Sequence, residues 1–458
     1  MPLPATELPG IRPAHGISFN TALRTWATIG LQSFGGPAGQ IAVMHRIVVD
    51  EKRWISDSRF LLALNYCTLL PGPEAQQLAT YIGWLLHGTR GGLAAGLLFI
   101  APGFVAMLLL CVVYVTFGHL PLIDGIFLGL KAAVLALVVA AVIRVGQRAL
   151  RSTVARITAL CAFTGIFVFA APFPLIVLGA GIFGFLWTRA GRTDFAGAAN
   201  HGPATAANAA LIADAHLTQV QPTARRALYL LAIWLPVWFL PIAVAALYLG
   251  PTHVAVTSAL FFAKMAVVTF GGAYAVLAYV AQQAVAHYNW LTPGQMLDGL
   301  GLAETTPGPL VLVVQFVGFL AGQHAPGVQP PFASALLCAS LAVWVTFAPC
   351  FLWIFLGAPY VEKLRQQPPL AGALAAITAA VVGVIMNLAL WFALHALFTR
   401  AHPLVPGTAL ALPVLSSVQW PALTLALVAL TLTFALRWPA LRMLATLAAL
   451  GAAWVVFS

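Results

Sequence analysis

Phe34-Gly35-Gly36, Trp54 and Pro71-Gly72-Pro73 are written a second time in this chain, as Phe270-Gly271-Gly272, Trp290 and Pro307-Gly308-Pro309. The spacing is constant (270 − 34 = 236, 290 − 54 = 236, 307 − 71 = 236). Seven identical residues in one ungapped window point to duplication. Glycine and proline are also the residues that interrupt helices. The repeated block therefore predicts two similar halves, each carrying two helix breaks.

Composition sets the solvent. With 61% hydrophobic and 7% charged residues in 458, too little polar surface exists to cover a soluble globule. Apolar runs long enough to cross a bilayer recur at 92–117, 126–143, 226–249, 333–356 and 373–398. The first 20 residues lack the pattern of a cleavable signal, so the first membrane element is expected to stay. The net charge of +11 is the Lys/Arg excess of cytoplasmic loops rather than a nucleic-acid footprint, and nucleic acid drops out as a partner.

The duplication extends past the first block. Ala101-Pro102 matches Ala348-Pro349 at an offset of 247, which requires an 11-residue insertion near 322–331. The chain divides into a first repeat, 1–190, a polar cytoplasmic linker, 191–226, a second repeat, 227–398, and C-terminal membrane helices, 399–458. The last segment shows no clear sequence counterpart.

Basic residues orient the halves oppositely. The loop around Trp54 holds Arg46, Lys52, Arg53 and Arg59, whereas the matching stretch 281–295 holds no Lys or Arg. Conversely, Lys363 and Arg365 have no basic counterpart at 118–121. The predicted fold is an all-α polytopic membrane protein, an inverted repeat whose broken helices at 18–44, 252–280 and around each Pro-Gly-Pro turn back as re-entrant hairpins. A further hairpin at 157–187 is broken at Pro172 and Pro174. Inverted repeats of this kind place a substrate site at the midplane between the halves.

A helix that starts inside the membrane offers unpaired N–H groups and a partial positive charge, which suits an anion. The candidate substrate-binding residues are therefore Phe34, Gly35, Gly36, Pro71, Gly72, Pro73 and Gln76, with Phe270, Gly271, Gly272, Thr306, Pro307, Gly308 and Pro309 in the second copy. Lys264 and Lys131, each inside an apolar run, are the candidate counter-charges for an anion. Glu74 and Glu304 flank the Pro-Gly-Pro turns and are the candidate proton carriers, since an ionised carboxylate is costly in hydrocarbon.

Enzyme chemistry finds no foothold. Metalloprotease, hydrolase and nucleotide-binding motifs are absent, the eleven histidines are scattered, and Cys67, Cys111, Cys161, Cys338 and Cys350 sit singly in apolar runs. No metal or cofactor is expected. The rival readings are a transporter or channel for sulfate or another oxyanion and, in a different class, a membrane-embedded subunit or enzyme. The small-residue run 91–96 permits close helix contacts within or between chains, so a homodimer stays open.

The ordered pattern Phe34-Gly35-Gly36-Pro37, His45, Trp54, Phe60, Pro71-Gly72-Pro73 resembles the chromate ion transporter family. Phe270 to Gly272, Trp290, Asp298-Gly299 and Thr306 to Pro309 resemble that family's C-terminal half. The resemblance implies a long-chain, two-domain member that exports chromate through the bacterial inner membrane and confers resistance; whether a proton or an anion is coupled to export the sequence leaves open. Ala273-Tyr274 departs from the pattern where the first copy has Pro37-Ala38.

Overall fold

The computed structural model describes residues 16–195, 223–270, 272–358, 367–403 and 411–457. Gly271, most of the linker and the Lys363–Arg365 region lie outside the described residues. The first half contains α1 (Phe19–Gln32), α2 (Gly36–His45), α3 (Asp57–Thr68), α4 (Glu74–Phe117), α5 (Pro121–Ala149), α6 (Thr153–Phe167) and α7 (Phe173–Arg189). After α8 (Ala224–Leu249) come α9 (Val254–Val268), α10 (Ala273–Ala281), α11 (Pro293–Thr305), α12 (Val313–His324), α13 (Pro331–Gly357), α14 (Pro368–Leu397), α15 (Trp420–Leu430) and α16 (Ala440–Phe457). A short ribbon pairs β1 (Ala401–Pro403) with β2 (Ala411–Pro413). Six of the described helices are long and apolar enough to span a bilayer, and their outer faces expose residues such as Leu97, Leu109, Leu122 and Leu247.

Both kinds of break fold the chain back on itself. At the Phe-Gly-Gly of the first half, α1 and α2 diverge from a tip. Thr21, at the start of α1, faces the same cleft as Lys52, beyond the end of α2, which a continuous helix would place some 45 Å away. In the second half Phe261 of α9 packs on Tyr279 of α10, ring centroids 5.5 Å apart. At Pro-Gly-Pro the same happens: Phe316 of α12 lies over Gly299 of α11, and Tyr81 of α4 meets Tyr66 of α3 with centroids 5.6 Å apart. The predicted re-entrant hairpins are present at all four sites.

α4 is itself bent double. His87 and Gly88 leave helical geometry, Gly88 at φ +62°, so that Gly83 touches Gly91 and Thr80 touches Gly96. Its second arm then runs to Phe117. The small residues at 91–96 thus serve contacts within the chain. The equivalent turn between α12 and α13 is the longer loop 325–330, where the 11-residue insertion was expected.

Equivalent helices run antiparallel. Phe355 of α13 lies over Gly92 and Phe351 over Gly96, so residue numbers rise along α13 as they fall along the second arm of α4. That is the signature of a two-fold axis across the helices, hence of inverted halves. α8 supplies the inversion, because one unpaired apolar crossing between the copies reverses the second.

The C-terminal segment, which sequence comparison leaves without a counterpart, has one in space. α7 packs along α14 with Gly184 against Gly372, and α16 packs along α5 with Gly451 against Gly125. Gly372 and Gly125 are themselves equivalent (372 − 125 = 247), so α6–α7 corresponds to α15–α16 at an offset of 267. Backbone geometry agrees. The four described non-glycine residues with positive φ form two pairs: Arg53 with Asn289 at offset 236, and Ala170 with Arg437 at offset 267. The side chains diverged while the backbone turn persisted.

Candidate functional site

The four tips meet at the centre, each half clasping the other. The Gly72 amide donates to the Thr269 carbonyl at 3.0 Å, and the Gly308 amide donates to the Ser33 carbonyl at 2.8 Å. These bonds are the same bond twice, since 72 and 308, like 33 and 269, differ by 236. Each Pro-Gly-Pro tip is therefore tied to the Phe-Gly-Gly tip of the opposite half. Each also rests on the proline-bearing helix of the opposite half: Gly72 against Cys350, just after Pro349, and Gly308 against Gly103, just after Pro102.

Broken helices leave backbone groups that hydrocarbon cannot satisfy. Here glutamines take that role. Gln40 Nε2 donates to the Gly308 carbonyl at 2.6 Å and Gln77 Nε2 to the Pro71 carbonyl at 2.7 Å. Gln315 Nε2 donates to the Phe104 carbonyl of α4 at 3.0 Å. The side-chain oxygens of Gln76, Gln77 and Gln315 are buried and have no hydrogen-bond partner among the described residues.

Between the tips lies a small cavity lined by Pro37 and Gln40 of α2, Pro73, Glu74 and Ala75 of α4, Ala273 of α10, and Pro309, Leu310 and Val311 leading into α12. Every one of these segments is the start of a helix. Four helix N-termini converge on one point, and their dipoles bring positive potential there. The remaining space is about 10 Å³, room for about one water. The conformation is closed.

The candidate residues separate on this geometry. Pro73, Glu74 and Pro309 line the cavity, and the Phe34, Gly35, Gly36, Pro71, Gly72, Phe270, Gly272, Pro307 and Gly308 positions build the tips around it. Gly35 adopts left-handed geometry at the start of α2, and Gly36 lies beside Glu304. Gly272 lies beside Glu74. Gln76 is fully buried and donates to Thr80, and Thr306 is buried with its hydroxyl returned to the Ala303 carbonyl. Glu304 is 5% exposed and accepts from the Tyr274 hydroxyl at 2.9 Å, one layer behind the cavity. Lys264 is not brought to the tips: it stands on the exposed face of α9 with Leu260 and Val267. Lys131 is already paired, 3.2 Å from Asp298, whose other oxygen accepts from Tyr114 at 2.9 Å.

Sequence reading missed four participants. Gln40 lies outside the repeated tripeptides and its counterpart is Val276, so no symmetry signals it. Tyr274 occupies the position where the motif departs between copies. Arg148 acts electrostatically on Glu74, and Arg144 on Glu304 and Tyr274. Both arginines sit one helical turn apart at the end of α5, where they read as ordinary loop charges.

Comparison with known proteins accords with this arrangement. The family described as Chromate transporter matches residues 21–185 and 256–454, so its second copy extends through α16. The chain is 32% identical over 375 residues to a chromate transport protein of Pseudomonas aeruginosa, covering 81% of this chain and 80% of that one. It is 27% identical to a chromate transport protein of Cupriavidus metallidurans, with 78% of each covered. A similar likeness, 26% identity over 80% of this chain and 82% of the relative, is to an uncharacterized transporter of Methanocaldococcus jannaschii. No solved structure matches.

Proposed function

The chain belongs to the chromate transporter family, a multi-pass membrane transporter rather than an enzyme, and from that premise we propose that it exports chromate across the bacterial inner membrane through the four-tip cavity. The convergence of four helix N-termini carries this reading. Chromate at neutral pH is chiefly a tetrahedral dianion, an acceptor on every side. The positive ends of four helix dipoles complement it.

The cavity as it stands is too small for such an anion, so transport requires the tips to part. The two equivalent bonds, Gly72 to Thr269 and Gly308 to Ser33, are the natural gates. Opening one while the other holds gives access to one face at a time, the mode expected of inverted repeats. Export from a negative-inside cell is favoured by roughly 2.3 kcal/mol per charge per 100 mV.

Glu74 gives the cycle its pH dependence. An ionised carboxylate lining the cavity repels a dianion, while a protonated one does not. Anion binding and protonation of Glu74 therefore favour one another. Glu304, bonded to Tyr274 beside Gly36, is the second proton position. A homodimer would have to use surfaces other than 91–96, whose glycines are occupied within the chain.

The test is flux of labelled chromate in reconstituted vesicles, with voltage and pH gradient set independently. Chromate uptake into vesicles is expected to saturate, with affinity rising as pH falls; Glu74→Gln should hold the high affinity across the pH range. Sulfate blocking labelled flux at far lower concentration than unlabelled chromate does would reassign the substrate. A Glu74→Gln profile as steep as the parent's would remove Glu74 from the coupling.

A further inference from the structure

The two Phe-Gly-Gly hairpins are equivalent in backbone and opposite in character. Between α1 and the π-helical turn after α2 (Arg46–Glu51) lies a cleft of about 430 Å³, open on one side. Arg24, Thr28, Gln32, Arg46, Glu51 and Lys52 are among its walls. Arg46 is committed, donating to Gln32 at 2.9 Å and lying 3.6 Å from Glu51. Among the described residues Arg24 and Lys52 have no carboxylate partner, so the cleft keeps an excess of positive charge.

The mirror position is filled. Arg24 corresponds to Leu260, Thr25 to Phe261 and Lys52 to Tyr288, each at offset 236. Phe261 and Tyr288 bring their rings to 5.6 Å, and Tyr288 stacks on Trp290 at 4.3 Å with 7° between planes. Lys52 holds the matching place in the first half, 6.0 Å over Trp54. These three differences turn a basic wall into an aromatic plug. The shared fold does not by itself dictate the basic cleft, because the matching positions of the other copy meet ring to ring.

We propose that the α1 cleft is an oxyanion-loading vestibule, present on one face of the membrane only, with Arg24 as its principal counter-charge. This rests on the anion-transport reading for its purpose. It adds where the anion gathers before the tips part, and why the two faces of a symmetric carrier are unequal. The basic Trp54 loop puts this face in the cytoplasm. A cluster of like charge at a cleft mouth raises the local concentration of the opposite ion, an effect that salt weakens.

Two measurements separate the vestibule from its parent reading. In a background with the exposed Cys161 replaced by serine, Thr28→Cys should react faster with an anionic than with a cationic thiosulfonate reagent. Adding Arg24→Gln should abolish that preference, and Arg24→Lys should keep it. In sided vesicles, Arg24→Gln should raise the KM for chromate loaded from the α1 face by roughly fivefold to tenfold, the scale of one lost charge contact, with KM from the opposite face unchanged. Equal labelling by both reagents, or a KM shift from both faces or neither, would overturn the vestibule while wild-type flux still upheld transport. Anion-selective labelling in a protein that carries no oxyanion would do the reverse.

Discussion

At the scale of single residues, the glycines of the two Pro-Gly-Pro turns are constrained first by backbone conformation. Gly72 has φ +106° and Gly308 φ +92°, conformations that side chains rarely adopt. A Cβ on Gly72 would also stand 3.1 Å from Cys350 Sγ, and one on Gly308 3.3 Å from the Gly103 backbone. Strain of this kind costs roughly 1–3 kcal/mol per residue, falling on the bond that ties one half to the other. Gly72→Val and Gly308→Val are each expected to abolish chromate flux while the protein still inserts and is recovered from the membrane. Normal flux in both would remove the turns from the transport path. These glycines were legible in the sequence because duplication doubles the signal. Lys131 was not: it reads as a free cation in an apolar run, and only the fold brings Asp298 to it across 167 residues (298 − 131 = 167). The face of α9 on which Lys264 stands was not legible either, since hydropathy cannot distinguish the outer face of a helix from its inner one.

Among elements, the long helices and both kinds of break were readable because periodic apolar runs and Gly/Pro punctuation are local signals. The pairing of α6–α7 with α15–α16 was not, because its matches, such as Leu160 with Leu427, Phe167 with Phe434 and Pro172 with Pro439, lie at a third offset, 267, which the repeated tripeptides do not signal. The seams nevertheless make a sharp prediction. A Cβ on Gly184 would strike the Gly372 carbonyl, and one on Gly451 the Gly125 carbonyl, so neither helix can approach its neighbour with a larger residue there. Gly184→Val and Gly451→Val should lower the thermal midpoint in detergent by similar amounts, each on the order of the 1–3 kcal/mol that overpacking costs. Gly179→Val, where a Cβ meets nothing within 4 Å, should be nearly silent. A silent Gly451→Val beside a damaging Gly184→Val would mean that the C-terminal helices are an appendage rather than the closing part of the second half.

For the whole molecule, everything depends on one copy being upside down relative to the other. Charge asymmetry between matched loops suggested this from sequence, and the antiparallel run of α13 against α4 makes it geometric. The consequence is that residues related by the repeat must face opposite compartments. Arg53 and Asn289 are such a pair, each at φ 52° in the turn that follows its π-helical segment. Gln283, in the second of those segments, shares the compartment of Asn289. Cysteine placed at Arg53 should be modified by a membrane-impermeant reagent only after the cell is opened, and cysteine at Gln283 in intact spheroplasts. Modification of both from the same side would break the two-fold relation. The Gly72 and Gly308 bonds could then no longer act as gates to different faces, and the four converging helix starts would line a closed pocket instead of a path.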